Sequence, residues 1–134
     1  MKKLLTIGLA VVISSFSANA VFAENADLAE DVVILANESQ FKIVYYGEKK
    51  LTEPVNGQYA YGRVTLQGTG AGSGTARVWQ NCGSGYEYTD IFLDTTPQKP
   101  EDSKNVYMSY GCQYALDINN FGDSQLKGYI RNFD

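Results

Sequence analysis

Polar and apolar residues alternate with a period of two along most of this chain beyond residue 40. Successive side chains of a strand point to opposite faces, so this pattern marks strands buried on one side only. The alternating segments are short, and turn-forming residues separate them. Phe41 to Tyr46 is rich in β-formers and ends at Gly47-Glu48-Lys49-Lys50. Tyr59 to Gln67 alternates strictly up to the glycine-rich segment Gly68–Gly74, and Thr75 to Cys82 alternates again up to Gly83-Ser84-Gly85. Tyr86 to Leu93, Lys104 to Tyr110, Cys112 to Asn119 and Gln125 to Phe133 follow, with a turn over Asn119–Ser124. Asp94 to Lys104 contains Pro97 and Pro100, which lack the N–H a sheet interior requires, and reads as a polar loop. Six to eight short strands with frequent turn signals predict an all-β fold, a single small antiparallel β-sandwich of jelly-roll or immunoglobulin-like character. The ten tyrosines suit such strands. Residues 24–36 stand apart: Asp27-Leu28-Ala29-Glu30-Asp31 favours helix and Val32-Val33-Ile34-Leu35 favours strand, so a helix, or a short helix running into a strand, is expected there.

The two segments flanking the glycines can be read as a hairpin symmetric about Ala71. Thr65 then faces Arg77, Arg63 faces Trp79 and Tyr61 faces Asn81 on one side. Leu66 with Ala76, Val64 with Val78, Gly62 with Gln80 and Ala60 with Cys82 share the other. The second set is small and mostly apolar, and is the expected core face. Cys112 shares its own inward set with Tyr114, Leu116 and Ile118. A Cys82–Cys112 disulfide would therefore staple two strands that meet across the core.

The first 23 residues change the compartment. Met1-Lys2-Lys3 is a positive start, Leu4 to Ile13 an apolar run and Ser14 to Ala20 a small-residue stretch, the layout of a secretory signal peptide. Cleavage after Ala23 is expected, leaving residues 24–134 as one domain exported to the periplasm or beyond. No cysteine near the cleavage site offers a lipid attachment point, and no later apolar stretch is long enough for a membrane anchor. Two cysteines in an exported chain pair by default, and neither CxxC spacing nor histidine points to metal or redox use. Loss of Lys2 and Lys3 leaves nine basic against fifteen acidic residues, a formal charge of −6. The remaining cations are scattered, which argues against nucleic acid and anionic membrane as partners.

Histidine is absent. That removes the usual Ser/His and Cys/His nucleophile pairs, imidazole zinc sites and the commonest general base. The chain is expected not to be an enzyme and to need no cofactor. Asp90 and Asp94, with Glu87 nearby, have the composition of a glycosidase pair, but surface carboxylates of this kind are common. The glycine segment has no G-x-G-x-x-G spacing and no following Gly-Lys-Ser/Thr, so it reads as a flexible hairpin loop. Asp117-Ile118-Asn119-Asn120-Phe121-Gly122-Asp123 looks like half a calcium loop, broken by Phe121 at the fifth position and Gly128 at the twelfth. No metal site is expected.

Ser84-Gly85-Tyr86-Glu87-Tyr88 fits the pattern S-G-x-x-Y. Over these five residues the chain resembles the periplasmic lysozyme inhibitors, whose Ser/Tyr loop probes the lysozyme cleft. The family's second element, a Lys-Gly after an aromatic strand, has no counterpart, since Lys127-Gly128 lies too far downstream. The resemblance implies an inhibitor loop of Ser84, Tyr86 and Tyr88. The outward face of the expected hairpin offers more: Tyr59, Tyr61, Arg63, Thr65, Arg77, Trp79 and Asn81. Flat aromatics stack on the C–H faces of sugars while Arg and Asn donate to hydroxyls. In the competing reading, Trp79 packs under a neighbouring strand and Arg63 covers it by a cation–π contact. The expected function is an exported, non-enzymatic binding module for a glycan or cell-envelope polymer. A secreted or periplasmic protein inhibitor or immunity protein is the alternative, and a small toxin or pore former, resting on the hairpin, is the third.

Overall fold

The alternating segments form nine strands in the computed structural model, which describes residues 35–134. They are β1 (Ser39–Val44), β2 (Lys49–Leu51), β3 (Val55–Asn56), β4 (Ala60–Gly68), β5 (Gly74–Asn81), β6 (Tyr86–Thr95), β7 (Glu101–Met108), β8 (Gln113–Asn120) and β9 (Leu126–Arg131). One sheet has the order β1-β9-β4-β7 and the other β2-β8-β5-β6, with β3 also paired to β8. The pairing is antiparallel and nested: β1 with β9, β2 and β3 with β8, β4 with β7, β5 with β6. A chain folded as one long hairpin, then rolled so that successive pairs fall alternately into two sheets, has this arrangement. It is the jelly roll. An immunoglobulin-like sandwich instead pairs several consecutive strands within each sheet, whereas here only β5 and β6 are consecutive partners.

The inward residues of each strand close the core. Val44, Val64, Leu66, Val106, Met108, Leu126 and Ile130 come from the first sheet, and Val55, Ala76, Val78, Leu93, Tyr114, Leu116 and Ile118 from the second. Tyr114 is among the largest buried side chains, and its hydroxyl accepts the Ser109 amide at 2.9 Å, so its polar end is satisfied. Gly128 faces the same core, where the Ile118 and Leu116 side chains occupy the space a Cβ would need. Of the inward sets expected for β4, β5 and β8, Gly62, Val64, Leu66, Ala76, Val78, Cys112, Tyr114, Leu116 and Ile118 are buried as alternation requires, whereas Ala60 and Gln80 are half-buried and Cys82 is exposed at the strand ends.

Nested pairing overturns the hairpin expected about Ala71. β4 is hydrogen-bonded on both edges, to β7 and β9, and β5 on both edges, to β6 and β8. Neither keeps a free edge for the other, so the glycine segment carries the chain from one sheet to the other. That segment is packed: a Cβ on Gly74 would collide with the Leu126 side chain and the Asn119 carbonyl. The toxin or pore-former reading rested on the hairpin and loses its basis.

The disulfide forms, but in a different place from the one expected. Asn81 of β5 pairs with Gln113 of β8, so Cys82 and Cys112 are the next residues of the same two neighbouring strands. Cys82 is exposed and Cys112 is buried. The bond therefore closes one end of one sheet and does not cross the core. β6 and β7 also run further than the proline-containing loop suggested, which contracts to residues 96–100. At its base Lys99 bridges Asp94 and Asp102, each at 3.2 Å. The signal peptide expected over 1–23 lies outside the described residues. So does the element expected over 24–36, except Leu35 and Ala36, which have no regular structure.

Candidate functional site

Because β4 and β5 belong to different sheets, the surface expected to unite Tyr59, Tyr61, Arg63, Thr65, Arg77, Trp79 and Asn81 is divided. Tyr61, Arg63 and Thr65 lie on the outer face of the β1-β9-β4-β7 sheet. Arg77, Trp79 and Asn81 lie on the outer face of the other. Tyr59 precedes β4 with a left-handed backbone, φ 56°, which takes it out of the alternation; its ring rests on Tyr110, 5.4 Å between centroids. Arg63 therefore cannot cover Trp79. The cation–π contact on that side is made by Arg77, 5.0 Å from the Tyr88 ring.

Register lays the outer face of the first sheet out in rows across the strands. Ser39, Arg131, Arg63 and Asn105 form one row; Phe41, Tyr129, Thr65 and Ser103 the next; Ile43, Lys127, Gln67 and Glu101 the third. The middle row passes from two rings on β1 and β9 to two short hydroxyl side chains on β4 and β7, and longer side chains flank it on both sides. The result is a groove of about 620 Å³, bordered by Phe41 and Tyr129 on one side and by Arg63, Arg131, Gln67 and Glu101 around its polar part. Phe41 is 58% exposed and its ring lies 6.0 Å from that of Tyr129, with the Lys127 ammonium 5.8 Å from each. Arg63 is oriented from below: its Nε donates to Ser103 Oγ at 3.0 Å, and Ser103 shares a 2.7 Å hydrogen bond with Thr65.

The outer face of the second sheet is built differently, around one carboxylate. Asp117 Oδ2 accepts the Tyr88 hydroxyl at 2.8 Å and the Trp79 indole N–H at 3.4 Å, and lies 3.1 Å from Lys49 Nζ. A hydrogen bond to Asp117 holds the Lys49 ammonium above its ordinary pKa. The indole also meets Tyr88 and Tyr86 edge-on, at 4.4 and 5.8 Å. Fully buried Ala115 opposite Trp79 leaves room for it. β6 carries two extra residues between Tyr88, the partner of Trp79, and Phe92, the partner of Arg77, an even number that leaves strand parity unchanged, so both rings stay on the outer side. Tyr86 and Tyr88, taken from the inhibitor-loop reading, thus join Arg77, Trp79 and Asn81 on one aromatic face, with Ser84 at its exposed rim. Trp79 is half-buried and outside the core. Trp79→Ala should cost about 2 kcal/mol of unfolding free energy, below the roughly 3–5 kcal/mol of a core aromatic, when read by urea denaturation.

The calcium-like turn divides as strand parity dictates. Asp117 points outward to Trp79, whereas Asn120, three residues on, is buried and donates to the Val44 and Ser124 carbonyls, both at 2.8 Å. Among the described residues no three His, Cys, Asp or Glu side chains gather as metal ligands. Among the groove residues, sequence reasoning missed Phe41, Gln67, Glu101, Tyr129 and Arg131, and with them Ser103, which holds Arg63. Their alternation was visible. What was not visible is that β1 and β9 lie beside β4.

No family model matches the chain, and no curated protein matches it. Among solved structures it is similar to the Yersinia pseudotuberculosis-derived mitogen, at 14% identity over 75% of this chain and 88% of that one, with a TM-score of 0.49. It is also similar to PirA, at 13% identity over 75% and 97% with a TM-score of 0.42. The carbohydrate-binding module TmCBM61, solved with β-1,4-galactotriose, matches at 10% identity over 78% and 90%, with a TM-score of 0.38. Likeness at this level concerns the fold alone.

Proposed function

We propose that the protein is an exported, non-catalytic binding module that holds a strand of glycan or cell-envelope polymer in the groove of the β1-β9-β4-β7 sheet. The observation that carries this reading is the groove itself, about 620 Å³, with exposed Phe41 beside Tyr129 and polar groups of Arg63, Arg131, Gln67 and Glu101 around them. Ring faces suit the C–H faces of sugars, and a few convergent donors and acceptors suit their hydroxyls. A disulfide is of the kind that persists in oxidising compartments, which agrees with export.

The second sheet favours an alternative, in which the target is a protein. Trp79, Tyr86, Tyr88 and Arg77 are the residue types that dominate protein hot spots, and the Asp117 network holds two of them in fixed positions. Retention on isolated cell-envelope polymer separates the readings. Phe41→Ala should weaken retention at least about tenfold, while its unfolding free energy changes by less than about 1 kcal/mol because the ring is exposed. Retention indifferent to Phe41→Ala but lost with Tyr88→Ala would transfer the site to the second sheet. A stoichiometric protein from culture supernatant, lost in the same variant, would identify an inhibitor.

A further inference from the structure

The groove row formed by β9 and β4 contains an arrangement that neutral-sugar binding does not require. Arg131 and Arg63 are direct cross-strand partners on the same outer face. Like charges placed directly opposite one another destabilise a sheet unless an anion lies between them. Here the anion is Asp134: its Oδ1 lies 3.6 Å from Arg63 Nη1 and 3.6 Å from Arg131 Nη2. Both separations are well beyond the roughly 2.7–2.9 Å of a close charge-assisted hydrogen bond. The Asp134 carboxylate is also half-exposed, and its other oxygen is 3.3 Å from Asn105 Nδ2. Arg131 Nε is buried without a hydrogen-bond partner. Two guanidinium groups therefore converge on one loosely held carboxylate, with the Arg131 guanidinium also lying 5.1 Å from the Phe133 ring.

Neighbouring rows on one face are two residues apart along a strand, about 7 Å. That is comparable to the width of one sugar ring carrying an exocyclic carboxylate. A ring lying over Tyr129 and Phe41 can place such a group between Arg63 and Arg131. Arg63 is already oriented for it by Ser103. Resting on the groove reading above, we propose that Arg63 and Arg131 form a two-guanidinium seat for the carboxylate of an acidic sugar, and that Asp134 fills the seat until the ligand displaces it.

The test is calorimetric titration of the whole exported chain with oligogalacturonate, a neutral galacto-oligosaccharide of equal length and a sulfated oligosaccharide. The wild type should bind oligogalacturonate at least about tenfold more tightly than the neutral oligomer. Asp134→Asn should widen that ratio several-fold, because the internal competitor has lost its charge. Arg131→Gln should collapse the ratio, with the circular dichroism spectrum of the fold retained. Equal affinity for acidic and neutral oligomers, or a ratio unmoved by Asp134→Asn, overturns the seat. Preference for the sulfated oligomer over the carboxylated one overturns its assignment to a carboxylate. Phe41→Ala keeps the two readings distinguishable, since it should weaken acidic and neutral oligomers alike. If neither acidic nor neutral oligomers bind, the seat falls, while the groove reading stands or falls on retention by isolated cell-envelope polymer; neutral binding that Phe41→Ala removes, with no acidic preference, retains the groove and sinks the seat alone.

Discussion

Reduction of Cys82–Cys112 should lower the unfolding free energy by about 3–4 kcal/mol. The two residues are 30 apart in sequence, and on the chain-entropy model a loop of that length contributes about 3.7 kcal/mol by restricting the unfolded chain. A small domain has about 5–15 kcal/mol in total, so the loss is large. The folded state changes less than the unfolded one. Asn81 and Gln113 are already ladder partners beside the bond, and their strands stay paired without it. The enclosed segment holds β6 and β7, one strand from each sheet, so the bond restricts both halves of the sandwich in the unfolded chain. The urea midpoint of the reduced protein, or of a Cys82→Ser/Cys112→Ser double variant, should fall by more than about 1 M. A change below about 1 kcal/mol would mean that the unfolded chain is already compact across this loop.

The contrast between Val78 and Trp79 shows how far the sequence could be read. Local alternation places Val78 inside and Trp79 outside whatever strands lie beside β5, and the structure agrees. The neighbour of a strand is a different question, because hydrogen-bonded edges carry no side-chain signature. Hence the sequence sets Arg63 opposite Trp79, on the adjacent segment, whereas its cross-strand neighbours are Arg131, sixty-eight residues away, and Asn105. The same limit applies at Cys82. Parity put it inward, but β5 ends at Asn81 and the chain turns through Gly83 at φ 106°, so parity no longer applies at that position. The two strands that escaped notice, β2 and β3, have three and two residues, too few to display a period. The candidate site was thus half legible. Its residues on β4 were visible as an outward set, while the rings that border it came from β1 and β9.

Asn120→Ala should cost about 3–4 kcal/mol of stability, although it alters one amide in a turn that reads as polar surface. The side chain is buried and joins the two sheets. It lies in β8, yet its Nδ2 donates to the carbonyl of Val44, the last residue of β1 in the opposite sheet. The same nitrogen donates to the Ser124 carbonyl, and Oδ1 accepts the Gly122 amide at 3.0 Å, which closes the turn into β9. Each net hydrogen bond contributes about 0.5–1.5 kcal/mol, and a buried partner left unpaired costs about 1–3 kcal/mol. Asn120→Asp preserves the volume but sets a carboxylate against two carbonyl oxygens, so it should be no milder at neutral pH. Phe121→Ala, at an exposed neighbour, should stay within about 1 kcal/mol. β1 is an edge strand held only by β9 within its sheet, and its other end is fastened by buried Asn132, which donates to the Ala36 carbonyl and accepts the Glu38 amide. Loss of the Asn120 contact should therefore release the Val44 end of β1 first, seen as faster amide hydrogen exchange at Ile43 and Val44 than in the core strands β4 and β5. Phe41 rides on the same strand, so polymer retention should weaken along with it. A stability loss below about 1 kcal/mol, or exchange that rises evenly through both sheets, would show that β1 is held by β9 and the core alone.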